Sequence, residues 1–394
     1  MPNNMSIATK KRILIFSTAY YPFIAGAEVA VKEITDRLKA DFEFDLITAR
    51  MRKDLSPREK VGAVNVYRVG TGHETLDKLL LPFRGALLAM RLQNDRNYFC
   101  LWGMMVTFGT GAGYIFNILR FISGKKKVPM VLSLQEGDSE NHLQYRWFGL
   151  IALSWKLALR RTDLLTGLSN FLLNRAKRNG YNGPSFLVPN GVDLAVFARK
   201  IDEKTRESLG KRIGKKPEDV FLVTTSRLTH KNAVDDIISS LVSLPINVHL
   251  IVIGKGDLGP RLQKQAHDLG VADRVKFLGF IPHTDFPKYF SVCDIFIRPS
   301  RSEGFGNSFI EAMAFGLPVI ATPVGGIVDF IDDKETGVFC SPDNPQSISR
   351  AVKDLLGDVS LVARIVSNAK DRVLDRYGWD RISFIMKEVF DKVT

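Results

Sequence analysis

The strongest constraint on the fold is an alternation of short, mostly apolar runs with stretches of helical spacing, in a series that starts twice. The first series of runs is residues 12–17, 44–48, 98–102, 128–134, 164–168 and 185–188. The second is residues 220–226, 248–253, 275–278, 295–298 and 318–322. Strands without alternating polar positions are buried on both faces, as in parallel sheets covered by helices. Two series in 394 residues predict an α/β chain with two Rossmann-like, doubly wound domains and a cleft between them.

The boundary between the domains is predicted near a charged segment. Residues 198–219 hold 13 charged residues among 22 and have no strand pattern. We therefore divide the chain at residues 1–194 and 195–378, and residues 379–394 have the apolar spacing of a final helix.

Charge and cysteine content limit the partners and the compartment. The net charge is +13, and residues 1–195 carry 27 Lys and Arg against 16 Asp and Glu. The first half should therefore prefer an anionic partner, either nucleic acid or an anionic membrane surface, unless the charge serves solubility alone. The three cysteines form no C-x-x-C pair, which favours a reducing compartment and no zinc or redox site.

Three segments of the first half bear on membrane contact. Residues 97–119 lack charge and are long enough to span a bilayer, but four glycines favour a strand, a loop and a helix instead. Residues 76–92 and 121–127 combine apolar side chains with cations, a composition typical of an interfacial helix. Pro82 and Gly85 weaken the prediction of one helix over residues 76–92. For residues 147–161, which hold two Trp, core packing is favoured.

Ligands of doubly wound domains bind at the carboxyl ends of the strands, so the loops there hold the candidate site residues. Gly26 and Ala27 open a helix after the first strand, where backbone N–H groups can approach an anion, although a plain turn fits equally well. Arg227 and Lys231 follow a strand and, four residues apart, should share one face of the next helix and suit a diphosphate. Gly254 ends another strand and would let a nucleotide approach the backbone.

The most informative pattern is Glu303-Gly-Phe-Gly-Asn-Ser-Phe-Ile-Glu311. It predicts Glu303 on a loop and Glu311 on the helix that follows. Carboxylates accept hydrogen bonds from sugar hydroxyls, and the N–H groups at a helix N-terminus bind phosphate. The pattern therefore suits a sugar nucleotide, the alternative being a solvated pair of glutamates. A D-x-D metal motif at a strand end is not found, so the protein's own cations would neutralise a diphosphate.

Together these features resemble the retaining glycosyltransferases of family 4, which have the GT-B fold of two facing Rossmann-like domains. The resemblance covers nearly the whole chain and is strongest over residues 298–339, with the E-x7-E motif and Val324-Gly-Gly-Ile327. Further matches are Val188-Pro-Asn-Gly-Val-Asp193 and Ser226-Arg-Leu228 with Lys231.

The resemblance implies transfer of a sugar from a nucleoside-diphosphate sugar, with retained configuration and without a metal or other cofactor. It implies that Arg227 and Lys231 bind the diphosphate, that Glu311 binds the ribose and that Glu303 lies near the donor sugar. It also assigns donor contacts to backbone in two loops and at one strand end, namely Gly26 and Ala27, Phe305, Gly306, Asn307 and Ser308, and Ile281. The final helix, residues 379–394, would pack on the first domain.

Three departures from the family pattern concern the site. Ala27 stands where the family usually has a second Gly before Glu28, a small change that should still allow close approach. Where family members have a His after the strand at residues 128–134, this chain has Gln135, which cannot act as a general base. Glu136 or Asp138 could supply a carboxylate there. Asn232 stands where a Gly usually follows the Lys, and Asn tolerates unusual backbone angles.

The predicted function is therefore a cytoplasmic, retaining glycosyltransferase, peripheral on the inner face of the membrane, with a lipid-linked or envelope glycan acceptor. The basic first domain would bind the acceptor and the anionic membrane surface, and nucleic acid is not an expected partner. An alternative is a nucleotide-sugar-binding subunit with little activity, which the Gln135 departure motivates. A sugar-nucleotide epimerase and a nucleic-acid binder are further alternatives.

Overall fold

The computed structural model describes residues 10–137 and 150–393, and contacts along the chain divide it into two units. The first unit runs to Asn190 and also includes the C-terminal segment from Trp379, and the second unit is Gly191–Gly378. The sequence analysis placed the division between residues 194 and 195.

The strands form one sheet in each unit. In the first unit they are β1 (Lys11–Phe16), β2 (Phe42–Ala49), β3 (Arg58–Val61), β4 (Val64–Val69), β5 (Cys100–Met104), β6 (Met130–Leu134), β7 (Leu164–Gly167) and β8 (Ser185–Leu187). In the second unit they are β9 (Val220–Thr225), β10 (Val248–Ile253), β11 (Val275–Gly279), β12 (Ile295–Arg298), β13 (Val319–Ala321) and β14 (Val338–Phe339).

Helices follow most of these strands. In the first half of the chain they are α1 (Gly26–Leu38), α2 (Glu74–Arg96), α3 (Phe108–Ile122), α4 (Leu150–Arg160) and α5 (Asn170–Arg178). The later ones are α6 (Leu194–Phe197), α7 (Glu203–Ile213), α8 (Val234–Ser240), α9 (Gly259–Asp268), α10 (Phe286–Phe290), α11 (Asn307–Phe315), α12 (Pro345–Gly357), α13 (Val359–Arg376) and α14 (Trp379–Asp391).

Both sheets are doubly wound, which confirms the predicted fold class. The first has the order β3-β4-β2-β1-β5-β6-β7-β8 and the second the order β11-β10-β9-β12-β13-β14. The described strand pairs are parallel except β3 with β4. In the second sheet the chain passes from β9 outward to β11 and then returns to β12 on the other side of β9. This reversal of strand order is where ligands bind in such folds.

Three strands were not predicted, and each lies at or near the edge of a sheet. β3 holds charged residues that alternate in sign and are exposed, so it lacks the apolar run used to predict strands. β4 is its antiparallel partner, and β14 is only two residues long. Asn65 and Arg68 interrupt the apolar run of β4, and a run of two residues is too short to be recognised as a strand.

The uncharged segment at residues 97–119 contains β5 and most of α3, as its glycines predicted. Along residues 10–137 and 150–393, no helix combines the length and apolar character needed to cross a bilayer.

Helix α2 is continuous through Pro82 and Gly85, although these residues weakened its prediction. A Cβ at Gly85 would lie 2.9 Å from the Cβ of Ala112 on α3, so the glycine permits a close approach of the two helices. Pro82 faces Gly111 in the same way, at 3.5 Å from the position of a Cβ there. Packing against α3 therefore supports the helix where its own propensity is poor.

The C-terminal helix α14 completes the core of the first unit. Ile382, Met386, Val389 and Phe390 are buried against residues of β1, β2, β5 and α1. The ring of Phe390 contacts those of Trp102 and Phe42, at centroid distances of 5.3 and 5.5 Å. Arg37 on α1 donates to the Asp380 carboxylate at 2.6 Å, which fixes the start of the helix. The core of the first unit therefore includes a helix that follows the second unit in the sequence.

Replacement of Phe390 by Ala should destabilise the first unit by about 3–5 kcal/mol, because it removes a fully buried aromatic ring. The measurement is urea unfolding followed by tryptophan fluorescence, since Trp102 contacts this ring. Phe384→Ala is the matched control, because Phe384 lies on the same helix with 53% of its surface exposed. Its effect should be below about 1 kcal/mol. Equal losses in both variants would contradict a core role for Phe390.

Candidate functional site

The carboxyl edge of the second sheet gathers most of the residues selected from the sequence. Arg227 and Lys231 follow β9, Gly254 follows β10 and Ile281 follows β11. Glu303 and the segment up to Ser308 follow β12, and Glu311 lies on α11. Because β9 pairs with β12 at the reversal of strand order, the loops after these two strands are neighbours.

Two glycines bring the loop after β10 against the loop after β9. Gly254 has a φ of +137°, and a Cβ there would lie 2.0 Å from the carbonyl oxygen of Ser226. A Cβ on Gly256 would lie 2.3 Å from the carbonyl oxygen of Leu228. Only glycine fits at these two positions, and the result is direct contact between the two backbones.

The segment from Arg227 to Asn232 carries two cations in a compact turn. Arg227 is exposed and Lys231 is half-buried. The prediction that both share one helical face is wrong, because α8 begins only at Val234, after Ala233 with a left-handed φ of +52°. The Asn232 amide instead donates to the carbonyl of Arg227 at 2.6 Å and closes the turn.

Arg301, in the loop after β12, supports this turn. Its backbone N–H donates to the carbonyl of Lys231 at 2.8 Å, and its Nη1 donates to the carbonyl of His230 at 2.7 Å. The guanidinium also pairs with Asp235, Asp236 and Asp343. Three carboxylates around one cation raise the pKa of Arg301, against the opposing effect of burial, and keep it charged. The segment that carries Lys231 is therefore held from the β12 side.

Glu303 is a buried carboxylate with both oxygens engaged. Oε1 accepts a hydrogen bond from the backbone N–H of Gly304 at 3.0 Å, and Oε2 accepts one from Nη2 of Arg298. The backbone around it is equally constrained, since a Cβ on Gly325 would lie 1.7 Å from the carbonyl oxygen of Glu303. The carboxylate therefore has a fixed position and a compensating charge.

The loop from Phe305 to Ser308 leads directly into α11. Gly306 adopts a φ of +98°, and a Cβ there would lie 2.6 Å from the ring of Phe309. Phe305 is buried against the rings of Phe330 and Tyr377. These aromatic contacts hold the loop in place. The first N–H groups of α11 lie at the carboxyl edge of the sheet, where an anion can bind.

Glu311 is buried on the first turns of α11 and contacts one histidine. Its Oε1 lies 2.9 Å from Nε2 of His283, which follows β11. The imidazole also contacts the rings of Phe197 and Phe286, and 54% of its side chain is exposed. Partial burial opposes its charged form, but the carboxylates of Glu311 and Asp193 outweigh this effect and raise the pKa of His283.

The remaining candidates lie in the first unit. Gly26 and Ala27 start α1, and the Glu28 carboxylate accepts a hydrogen bond from the N–H of Ala25 at 2.9 Å. Gln135 and Glu136 follow β6, whereas Asp138 lies outside the described residues. Glu136 accepts hydrogen bonds from the N–H groups of Gln135 and Val106, so its carboxylate anchors this loop. Burial raises the pKa of Glu136, partly offset by these N–H groups.

Three residues of the second-unit site were not selected from the sequence, namely His283, Arg298 and Arg301. A charged residue at the end of a buried strand, as Arg298 is on β12, is a signal that could have identified one of them. The other two have no distinctive pattern, because their roles depend on partners far along the chain.

The contact between His283 and Glu311 should make the stability of the second unit depend on pH. Because the pKa of His283 is raised in the folded protein, its contribution is complete below the pKa of the unfolded chain, about 6.5. It is lost as the pH rises through the higher folded pKa. The contribution should be about 1 kcal/mol at most, since the ring is half-exposed. Melting temperatures of wild type and His283→Asn should differ most near pH 6 and converge above pH 8, and a constant difference would contradict this pairing.

The chain is similar to several known proteins. It is 30% identical to an uncharacterised glycosyltransferase of Methanocaldococcus jannaschii over 50% of this chain and 51% of the relative. It is 31% identical to a GDP-mannose-dependent alpha-(1-6)-phosphatidylinositol monomannoside mannosyltransferase of Mycobacterium tuberculosis over 56% of this chain and 60% of the relative. The alignments thus span about half to three fifths of these curated relatives.

Similarity in structure extends over nearly the whole chain. The structure of sucrose-phosphate synthase from Thermosynechococcus elongatus superposes with a TM-score of 0.82, covers 98% of this chain and 99% of that one, and is 18% identical. At this identity the likeness establishes the fold, which is GT-B.

The match to a family model lies within the second unit. Residues 205–372 match the model of the family described as glycosyl transferases group 1. This range contains the residues after β9, β10, β11 and β12 described above. The second unit is therefore similar to the group 1 glycosyl transferases over residues 205–372.

Proposed function

We propose that this protein is a retaining, metal-independent glycosyltransferase that moves a hexosyl group from a nucleoside-diphosphate sugar to a lipid-linked or envelope glycan acceptor. The observation that carries the proposal is the convergence of two cations and two buried glutamates at one edge of the second sheet. They are Arg227, Lys231, Glu303 and Glu311. The name of the mycobacterial relative, a GDP-mannose-dependent mannosyltransferase, supports a nucleotide-sugar donor.

The donor would lie along the carboxyl edge of the second sheet. Glu311 would accept hydrogen bonds from the ribose hydroxyls, and backbone at Ile281 would bind the base. The neighbouring Phe280 is 71% exposed and offers an aromatic surface for stacking. Arg227, Lys231 and the N–H groups from Phe305 to Ser308 would bind the diphosphate, close to the contact of the loops at Gly254.

Catalysis would depend on stabilising the leaving group. Negative charge grows on the diphosphate as the bond to the sugar breaks, and cations that are already in place lower the energy of that state. Arg227 and Lys231 can supply this charge without a metal. Glu303 is paired with Arg298 and held by Gly304, so it suits orienting the sugar rather than proton transfer. Attack from the same face, assisted by the leaving phosphate, retains the configuration.

The first unit would bind the acceptor and an anionic membrane on the cytoplasmic side. Exposed apolar residues lie on α2 and at the end of α3, including Leu79, Phe83, Phe121 and Ile122. Exposed cations accompany them at Arg84, Arg91 and residues 125–127. Apolar side chains with cations on the same helix or directly after it suit the interface of an anionic bilayer, where both kinds of contact contribute.

The second candidate function is a nucleotide-sugar-binding subunit with little activity of its own. It is motivated by Gln135, which follows β6 and cannot act as a general base. Sugar transfer by the purified chain alone would eliminate this candidate, and donor binding without transfer to any lipid-linked acceptor would favour it.

Donor binding is tested by thermal shift with UDP-, GDP-, ADP- and dTDP-sugars, each with and without EDTA. One class of donor should raise the melting temperature by mass action, and EDTA should not change the shift. Glu311→Gln and Arg227→Gln should each weaken donor binding about tenfold or more, since each loses charge-assisted hydrogen bonds. Lys264→Gln, an exposed α9 residue paired with Asp268, is the control and should bind like wild type. No shift with any donor, or a shift abolished by EDTA, would contradict the proposal.

Membrane contact is tested by co-sedimentation with vesicles of phosphatidylglycerol and phosphatidylcholine. The double variant Phe121→Ser/Ile122→Ser should bind the anionic vesicles several-fold more weakly, because it removes two apolar side chains that are 80% and 74% exposed. Ile246→Ser in the second unit, where Ile246 is also 80% exposed, serves as the matched control and should bind like wild type. Wild-type binding that is equal for anionic and neutral vesicles would exclude this partner.

A further inference from the structure

Asn232 and Arg298 meet in the second-unit site. Arg298 Nη2 donates to Oδ1 of Asn232 at 2.9 Å, although the two residues are 66 positions apart. Asn232 is 2% exposed. Its side-chain oxygen is therefore a buried acceptor for Arg298.

The contact links the two loops that hold the donor-site residues. On one side, the Asn232 amide donates to the carbonyl of Arg227 at 2.6 Å, so the position of Asn232 is tied to that of the cationic turn. On the other side, the Arg298 guanidinium donates to the carboxylate of Glu303 and, through Nη1, to the hydroxyl of Ser308 at 2.9 Å. Arg298 thus spans acceptors from the loop after β9, the loop after β12 and the first turn of α11.

The guanidinium is suited to this role by its shape and its surroundings. Its side chain is only 11% exposed and lies over the ring of Phe309, with the guanidinium carbon 5.4 Å from the ring centroid. Arginine presents several donors in one rigid plane, whereas the single nitrogen of lysine cannot reach three separated acceptors in fixed directions. The Glu303 carboxylate would be left buried and uncompensated without it.

We propose that Arg298 is a positioning residue that holds Glu303 at a fixed spacing from the Arg227–Asn232 turn, and thereby selects for the sugar of the donor. This inference rests on the proposed function. The turn has independent support from Arg301 through the carbonyls of His230 and Lys231. Loss of Arg298 therefore leaves the cationic turn supported by Arg301, whereas Glu303, which would contact the sugar, loses its charged partner.

The experiment compares the dissociation constants of a nucleoside diphosphate and of the corresponding nucleotide sugar, measured by calorimetry with the base identified in the thermal-shift panel. In Arg298→Gln and Arg298→Lys, the affinity for the nucleotide sugar should fall about tenfold or more from its wild-type value. The affinity for the nucleoside diphosphate should stay close to its wild-type value. Asn232→Gly should change the ratio of the two affinities in part, and its combination with Arg298→Gln should change that ratio little further, because both remove the contact between Asn232 and Arg298. Loss of the bond from Asn232 to the Arg227 carbonyl should weaken both ligands by a similar factor and leave the ratio unchanged. Arg364→Gln, an exposed pair with Glu335 elsewhere in the second unit, is the control.

The outcomes separate the possible explanations. A merely structural role would lower the melting temperature and weaken both ligands by the same factor, which would overturn the inference. Full activity and selectivity in Arg298→Lys would overturn it as well, since charge alone would then suffice. Wild-type protein that binds neither ligand would instead overturn the proposed function, and this role with it.

Discussion

The architecture depends on one constraint, the burial of parallel strands on both faces. Such strands have no free side on which to carry polar groups, so the polar chemistry of each unit is confined to the loops at the strand ends. In the second unit the strand order reverses between β9 and β12, and the loops after these two strands carry most of the polar candidates. The candidate site follows from this arrangement before any individual side chain is considered.

Buried charge imposes a second requirement, because each carboxylate taken out of water needs partners. Glu303 obtains them from Arg298 and the N–H of Gly304, and Glu311 obtains one from His283. Glu136 in the first unit is bound by backbone N–H groups. Glu136 and Glu303 therefore also determine where their loops lie, whereas Glu311 lies on a helix that is already fixed by packing.

The helices show how tertiary packing changes a local preference. Pro82 and Gly85 disfavour a helix locally, yet α2 is continuous because Gly85 allows close contact with α3. The charged strand β3 forms because β4 offers it hydrogen-bond partners at the edge of the sheet. Periodicity could predict the central strands, whose burial is uniform, but it could not predict elements whose stability comes from one neighbour.

The sequence by itself determined the two parallel sheets, the E-x7-E spacing and the glycines of the site loops, because strand burial and backbone angles are local requirements of the residues concerned. Only the tertiary structure decided the partners of these residues. The cations were expected on one helical face, but Asn232 and Ala233 form a turn there instead. Arg298 reaches Asn232 across 66 positions because β9 and β12 are adjacent. Such contacts depend on strand order, which no local pattern of residues encodes.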